Sequence, residues 1–264
     1  MHASMVRASC LLTLILSYLL LACRLAAAQS LTVAAASDLQ SALPAIAAQF
    51  EQETGRKVTL TFGSSGNFLA QIQNGAPFDV FLSADGDYPR RLERAGLTER
   101  GSLREYATGR VVLWTRNDSG IEVRQGLTVL AEARVRRIAI ANPEHAPYGR
   151  AAVAALRHEG LFERVREKFV MGENISQAAQ FAQSGSADVG VLALSLALSP
   201  TLKSSGTYFE IPESLHPPIE QAAVVLASSR LKPLARQFVD YLKKADSVRI
   251  LQAYGFAVPH AKVR

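Results

Sequence analysis

Two short stretches put hydroxyl groups where a strand signal gives way to a helical one. The first is Leu31-Thr32-Val33-Ala34-Ala35-Ala36-Ser37-Asp38-Leu39; the second is Val58-Thr59-Leu60-Thr61-Phe62-Gly63-Ser64-Ser65-Gly66-Asn67. In each, an apolar or β-branched run ends in small hydroxyl residues and a helical apolar period begins. A helix N-terminus leaves backbone N–H groups without partners and carries about half a positive charge, so it attracts anions. Two such ends facing one point, with serine hydroxyls beside them, describe a pocket for a small oxyanion. No lysine or arginine is needed there. Ordinary N-capping is the competing role for each serine taken singly, and Ser64 is the cap or supporting residue of its pair.

Other chemistries find little support. Gly63-Ser64-Ser65-Gly66 lacks the Gly-x-Ser-x-Gly spacing of a nucleophile elbow. Phosphate-loop, dinucleotide-binding and His-Glu-x-x-His zinc patterns do not occur. His145 stands between Glu144 and Pro147 with no second histidine or cysteine at ligand spacing, which makes it structural. The chain therefore reads as a binding protein without a cofactor or catalytic residues. A serine hydrolase with a scattered triad is the residual enzyme reading, and an effector half of a regulator conflicts with the leader described next.

Residues 1–28 read as a signal peptide: Arg7 is the positive segment, Cys10 to Ala22 the apolar core, and Ala26-Ala27-Ala28 the cleavage site ahead of Gln29. The apolar run falls short of the ~20 residues that span a bilayer. Leu20-Leu21-Ala22-Cys23 also resembles a lipobox, which would leave Cys23 lipidated and the protein on a membrane. Both cysteines lie in this leader, so a chain cut after Ala28 has no disulfide and no thiolate chemistry. Its 236 residues must be held by their cores, in one or two domains. Removing Arg7 and Arg24 lowers the formal charge from +6 to +4. The remaining basic residues are scattered among acids, as on a solvated surface, and no nucleic-acid face is expected.

Strand and helix signals alternate from residue 31, the mark of an α/β fold with mostly parallel sheets. Leu39, Leu43, Ile46 and Phe50 keep helical spacing up to Gly55; Phe68, Leu69 and Ile72 do so up to Asn74-Gly75. Buried-strand runs follow at 79–82 and 110–115. The plan then restarts with strands at 137–141, 169–172 and 188–192, and helices from about Arg150 and Ile175. A late strand at 222–226 precedes a helix carrying Leu231, Leu234, Phe238 and Leu242. No linker composition separates the halves, so strands at 107–116 and 219–227 are expected to cross between two lobes. Lobe one is drawn as 29–109 plus 226–264 and lobe two as 110–225, with the ligand in the crevice at the carboxyl ends of strands.

Five pieces in order resemble the periplasmic molybdate-binding proteins that feed ABC transporters. They are Ala34 to Ser37, Phe62 to Ser65, Gly75 to Asp85, Asn142 to Gly149, and Tyr241-Leu242 with Tyr254-Gly255-Phe256. They run in family order over essentially the whole chain after the leader. The resemblance implies a two-lobed flytrap, the periplasmic-binding-protein fold, that holds molybdate or tungstate and delivers it to a membrane permease. It implies a periplasmic monomer in which molybdenum is present only inside the bound anion. Position by position, it implies hydroxyl and N–H donors at Ser37 and Ser65, a backbone N–H (in some members a tyrosine) at Tyr148, and a backbone N–H at Ile175. A tyrosine that some members carry after the 189–192 strand is replaced here by Ala193, leaving Tyr148 as the candidate for that hydroxyl. Asp38 is a second departure from the pattern. It either turns away to stabilise a helix start or accepts a hydrogen bond from a protonated anion such as hydrogen phosphate or arsenate.

Overall fold

A computed structural model describes residues 30–258; the leader, with its cleavage and lipidation readings at Ala28 and Cys23, lies outside the described residues. Ten strands form two five-stranded sheets. The first sheet takes β1 (Leu31–Ala36), β2 (Val58–Gly63), β3 (Val80–Ser83), β4 (Arg104–Gly109) and β10 (Ile219–Val225) in the order β2-β1-β3-β10-β4. The second takes β5 (Val111–Arg116), β6 (Ile138–Ala141), β7 (Phe169–Gly172), β8 (Val189–Ala193) and β9 (Gly206–Glu210) in the order β7-β6-β8-β5-β9. The helices are α1 (Leu43–Thr54), α2 (Ser65–Gln73), α3 (Asp87–Arg94), α4 (Pro147–His158), α5 (Phe162–Val165), α6 (Ile175–Ser184), α7 (Leu194–Ala197), α8 (Pro200–Ser205), α9 (Lys232–Tyr241) and α10 (Ala245–Ala253).

The two sheets share one plan. In each, three strands pair in parallel, a fourth is antiparallel to its neighbours, and a fifth closes the edge. The antiparallel strands are β5 and β10, the first strand laid down after each passage between lobes. A chain arriving from the opposite lobe enters at the carboxyl ends of the parallel strands, so it must run against them. The outward passage is the single residue Arg110 between β4 and β5.

Sheet pairing corrects one expected boundary. Ile219–Val225 pairs with β3 and β4, so the chain is back in the first lobe by Ile219 and not at 226. The helical period through Leu39 and Leu43 also spans a break. Ser37–Leu39 is a single 3-10 turn, and α1 starts at Leu43. Pro44 explains this: proline is favoured in a first helical turn and breaks a helix interior. The α1 end at Gly55, in the left-handed conformation at φ 67°, is where the spacing put it.

Each lobe has its own core. Strand β1 is buried along nearly its whole length because helices cover both faces of its sheet, which is why it reads as a continuous apolar run. Phe50 of α1 meets Phe238 and Tyr241 of α9 edge-on at 5.0 and 5.3 Å, tying the C-terminal helices to lobe one. In lobe two Trp114 is fully buried, and its indole N–H donates to Leu202 O at 3.3 Å. Among the described residues no helix is long and apolar enough to cross a membrane.

Candidate functional site

Parallel register creates the site. Ala36 is paired with Gly63, and Ala35 with Leu82, so three strand ends of lobe one open side by side at Ser37, Ser64 and Ala84. From lobe two, α4 and α6 bring their first turns to the same place. One small cavity is lined by Ser37, Asp38, Ser64, Ser65, Tyr148 and Ile175 together. Each of the six is at most 4% exposed. No lysine or arginine lines the cavity. Arg90 and Arg150 line a neighbouring hollow and are engaged by carboxylates: Arg90 by Asp87, Glu105 and Glu220, Arg150 by Asp85.

The two serines at the second junction have different duties. Ser64 is the N-cap of α2, its hydroxyl accepting from Asn67 N at 3.3 Å. The Ser65 hydroxyl accepts from Ala84 N at 3.0 Å, which leaves its own proton to donate elsewhere. In lobe two the Asn174 side chain caps α6 by accepting from Ser176 N and Gln177 N. The N–H of Ile175, first residue of that helix, is left over from this cap. Helix α4 begins at Pro147, after Ala146, which offers no side-chain cap, so the first-turn N–H groups of Tyr148 and Gly149 also lack intrahelical partners.

The lobes touch directly around the cavity. Gly66 N donates to His145 O at 2.9 Å, and a Cβ at position 66 would stand 2.6 Å from that oxygen, so only glycine allows the approach. His145 Nδ1 lies 2.9 Å from Ser64 Oγ, and Arg150 reaches Asp85 and Tyr88. His145 thus serves in the contact between lobes and does not line the cavity.

Asp38 departs from the capping expectation: the turn it occupies is only three residues long, and its side chain is fully buried in the cavity wall. Its Oδ2 accepts from Tyr148 OH at 3.0 Å and from Gln221 Nε2 at 2.8 Å, while Gln221 Oε1 accepts from Tyr106 OH at 3.1 Å. Ser195 Oγ of α7 donates to the Asp38 carbonyl at 2.7 Å. Burial raises the Asp38 carboxyl from 3.8 to about 6, against the opposing pull of the bonds from Tyr148 and Gln221 and of the Asp38 and Leu39 backbone N–H groups. Burial first, and then the nearby Asp38 charge, push the Tyr106 and Tyr148 phenols well above 10. The Tyr148 hydroxyl proton is therefore spent on Asp38, and this tyrosine does not replace the hydroxyl missing at Ala193.

Gln221, Tyr106 and Ser195 escaped the sequence reading. They lie 183, 68 and 157 positions from Asp38, and only the crossing strands and the closed cleft bring them to it. Gly109 makes room for this cluster: a Cβ there would collide with the Tyr148 hydroxyl.

Two α/β lobes that close helix ends and hydroxyls around a small cavity without lysine or arginine define a solute-binding receptor. The chain matches the model for bacterial extracellular solute-binding proteins over residues 31–257, and it belongs to that family. It is 42% identical over 239 residues to the molybdate-binding protein ModA of Azotobacter vinelandii, covering 90% of this chain and 94% of that one. It is 36% identical over 231 residues to ModA of Rhodobacter capsulatus, covering 88% and 89%. The solved Azotobacter vinelandii periplasmic molybdate-binding protein superposes with a TM-score of 0.82 at 38% identity, over 87% of this chain and all of that one. The sulfate-binding protein SubI of Mycobacterium tuberculosis shares the fold at 17% identity and a TM-score of 0.73.

Proposed function

We propose that this chain is an extracytoplasmic receptor that captures molybdate or tungstate and passes it, as a monomer, to an ABC permease. The observation that carries this reading is the small cavity lined from both lobes by Ser37, Ser65, Tyr148 and Ile175. Hydroxyl donors come from Ser37 and Ser65, and backbone N–H donors from Ser65, Tyr148 and Ile175. Ser64 and Asp38 support them. The lobes are assigned as 30–109 with 219–258, and 110–218. Closure is favoured by the anion because only the closed arrangement supplies donors from both sides. Sulfate, a smaller tetrahedron, would leave buried donors unpaired at about 1–3 kcal/mol each.

Titration calorimetry with molybdate, tungstate, sulfate and phosphate tests the reading. Tight binding of the first two and weak or no binding of the others is expected. Binding of phosphate with no response to molybdate would replace it with the protonated-anion alternative that Asp38 raises.

A further inference from the structure

Asp38 presents a problem of charge. Its side chain is fully buried in the wall of the cavity, and its Oδ1 accepts no side-chain hydrogen bond, with the Asp38 and Leu39 backbone N–H groups turned toward the carboxyl. An ionised carboxylate there would face an anion and repel it. The surroundings decide where a proton can sit. The Gln221 amide nitrogen can only donate, and it donates to Oδ2. Tyr148 OH donates to the same oxygen, and Tyr106 OH, bonded to Gln221 Oε1, keeps the amide turned that way. Oδ2 is thus an acceptor twice over, and the position left for a proton is Oδ1.

Resting on the oxyanion reading above, we propose that Asp38 meets the bound anion as a neutral acid, donating a hydrogen bond from Oδ1, so that capture takes up one proton. The proton comes from solvent and stays on the carboxyl; no covalent bond forms or breaks. The buried oxygen becomes a donor like the serine hydroxyls, and the cavity remains free of net charge. A dianion such as molybdate, which brings no proton, is accommodated by this arrangement.

The sign follows directly. The carboxyl titrates near 6 in the closed protein from burial, and an adjacent dianion raises it further, so the complex holds a proton that the free protein gives up as pH rises. Affinity is then highest in mild acid and falls as pH climbs through neutrality. The groups packed on Asp38 do not share this titration. Tyr106 of β4 and Tyr148 of α4 are held well above 10, while Gln221 of β10 and Ser195 of α7 do not ionise. Beside the cavity, His145 is bonded to Ser64 and lies 3.6 Å from Glu173, and Arg150 pairs with Asp85.

Calorimetric titration with sodium molybdate, over a pH series and in pairs of buffers with different ionisation enthalpies, tests the proposal on wild type and Asp38→Asn. Wild-type affinity should fall by up to about tenfold per pH unit above neutrality, with uptake approaching one proton per anion. Asp38→Asn, whose amide donates at every pH, should bind with neither slope nor uptake. Flat wild-type affinity without proton uptake overturns the proposal even if the variant misfolds. A slope that persists in Asp38→Asn assigns the proton to another group, His145 first, and also overturns it. Failure of wild type to bind molybdate at any pH overturns the oxyanion assignment itself, a separate result from pH-independent binding.

Discussion

The junctions at Ser37 and at Ser65 look alike as sequence and are built differently. At Ser65 a nine-residue helix begins, capped by Ser64, and its backbone end faces the cavity. At Ser37 there is only a 3-10 turn, and α1 starts at Leu43. The first junction therefore gives little helix-end charge. What it contributes is side-chain chemistry: a buried hydroxyl and a buried carboxyl tied to Tyr148 and Gln221. An anion site built from two such halves combines backbone donors on one side with a tertiary side-chain network on the other.

That contrast can be broken most severely at Ser65. Ser65→Ala removes a donor to a charged ligand, about 1.5–3 kcal/mol of binding. It also strands Ala84 N, a buried donor, so the unliganded protein should lose about 1–3 kcal/mol by urea denaturation. Unchanged affinity would reduce this junction to an ordinary cap. Intact protein offers the next largest signal. Molybdate at about 100 times its dissociation constant should add about 2.7 kcal/mol of stability and raise the melting temperature by several degrees, with sulfate silent. Equal shifts from both anions would mean that the cavity does not discriminate by size.

Ser37→Ala sharpens the comparison. It should weaken binding by about 1.5 kcal/mol, at the lower end of the range for a bond to a charged group. Because no buried donor such as Ala84 N is stranded, unfolding should move less than in Ser65→Ala. Matching stability losses in the two variants would erase the difference between the junctions. The smallest effect is expected from Ile175→Val. Its proposed donor is backbone, so calorimetric affinity should hold while the core loses about 0.5–1.5 kcal/mol. A marked loss of affinity would mean that the side chain shapes the cavity.

Much of the first lobe was legible. Phe68, Leu69 and Ile72 marked α2, and the run at 79–82 marked β3, because local periodicity and glycine stops act over a few residues. Only the end of β4 is expected, within the crossing strand at 107–116, and β9 and the helix α10 are not. Arg104–Gly109 and Gly206–Glu210 have mixed burial and no clean alternation, so their pairing with distant strands, not their own pattern, makes them strands.

Sequence alone determined the two-lobed α/β plan and the residue types that line the cavity, since each depends on short-range order: strand, small hydroxyl, helix start. Tertiary structure decided which group does what. Pro44 displaced the helix expected after Ser37, closure of the lobes committed the Tyr148 hydroxyl to Asp38, and the returning strand β10 delivered Gln221 to the same carboxyl. The state of Asp38 was not written at position 38. It is set by desolvation, and desolvation depends on everything that packs around the residue.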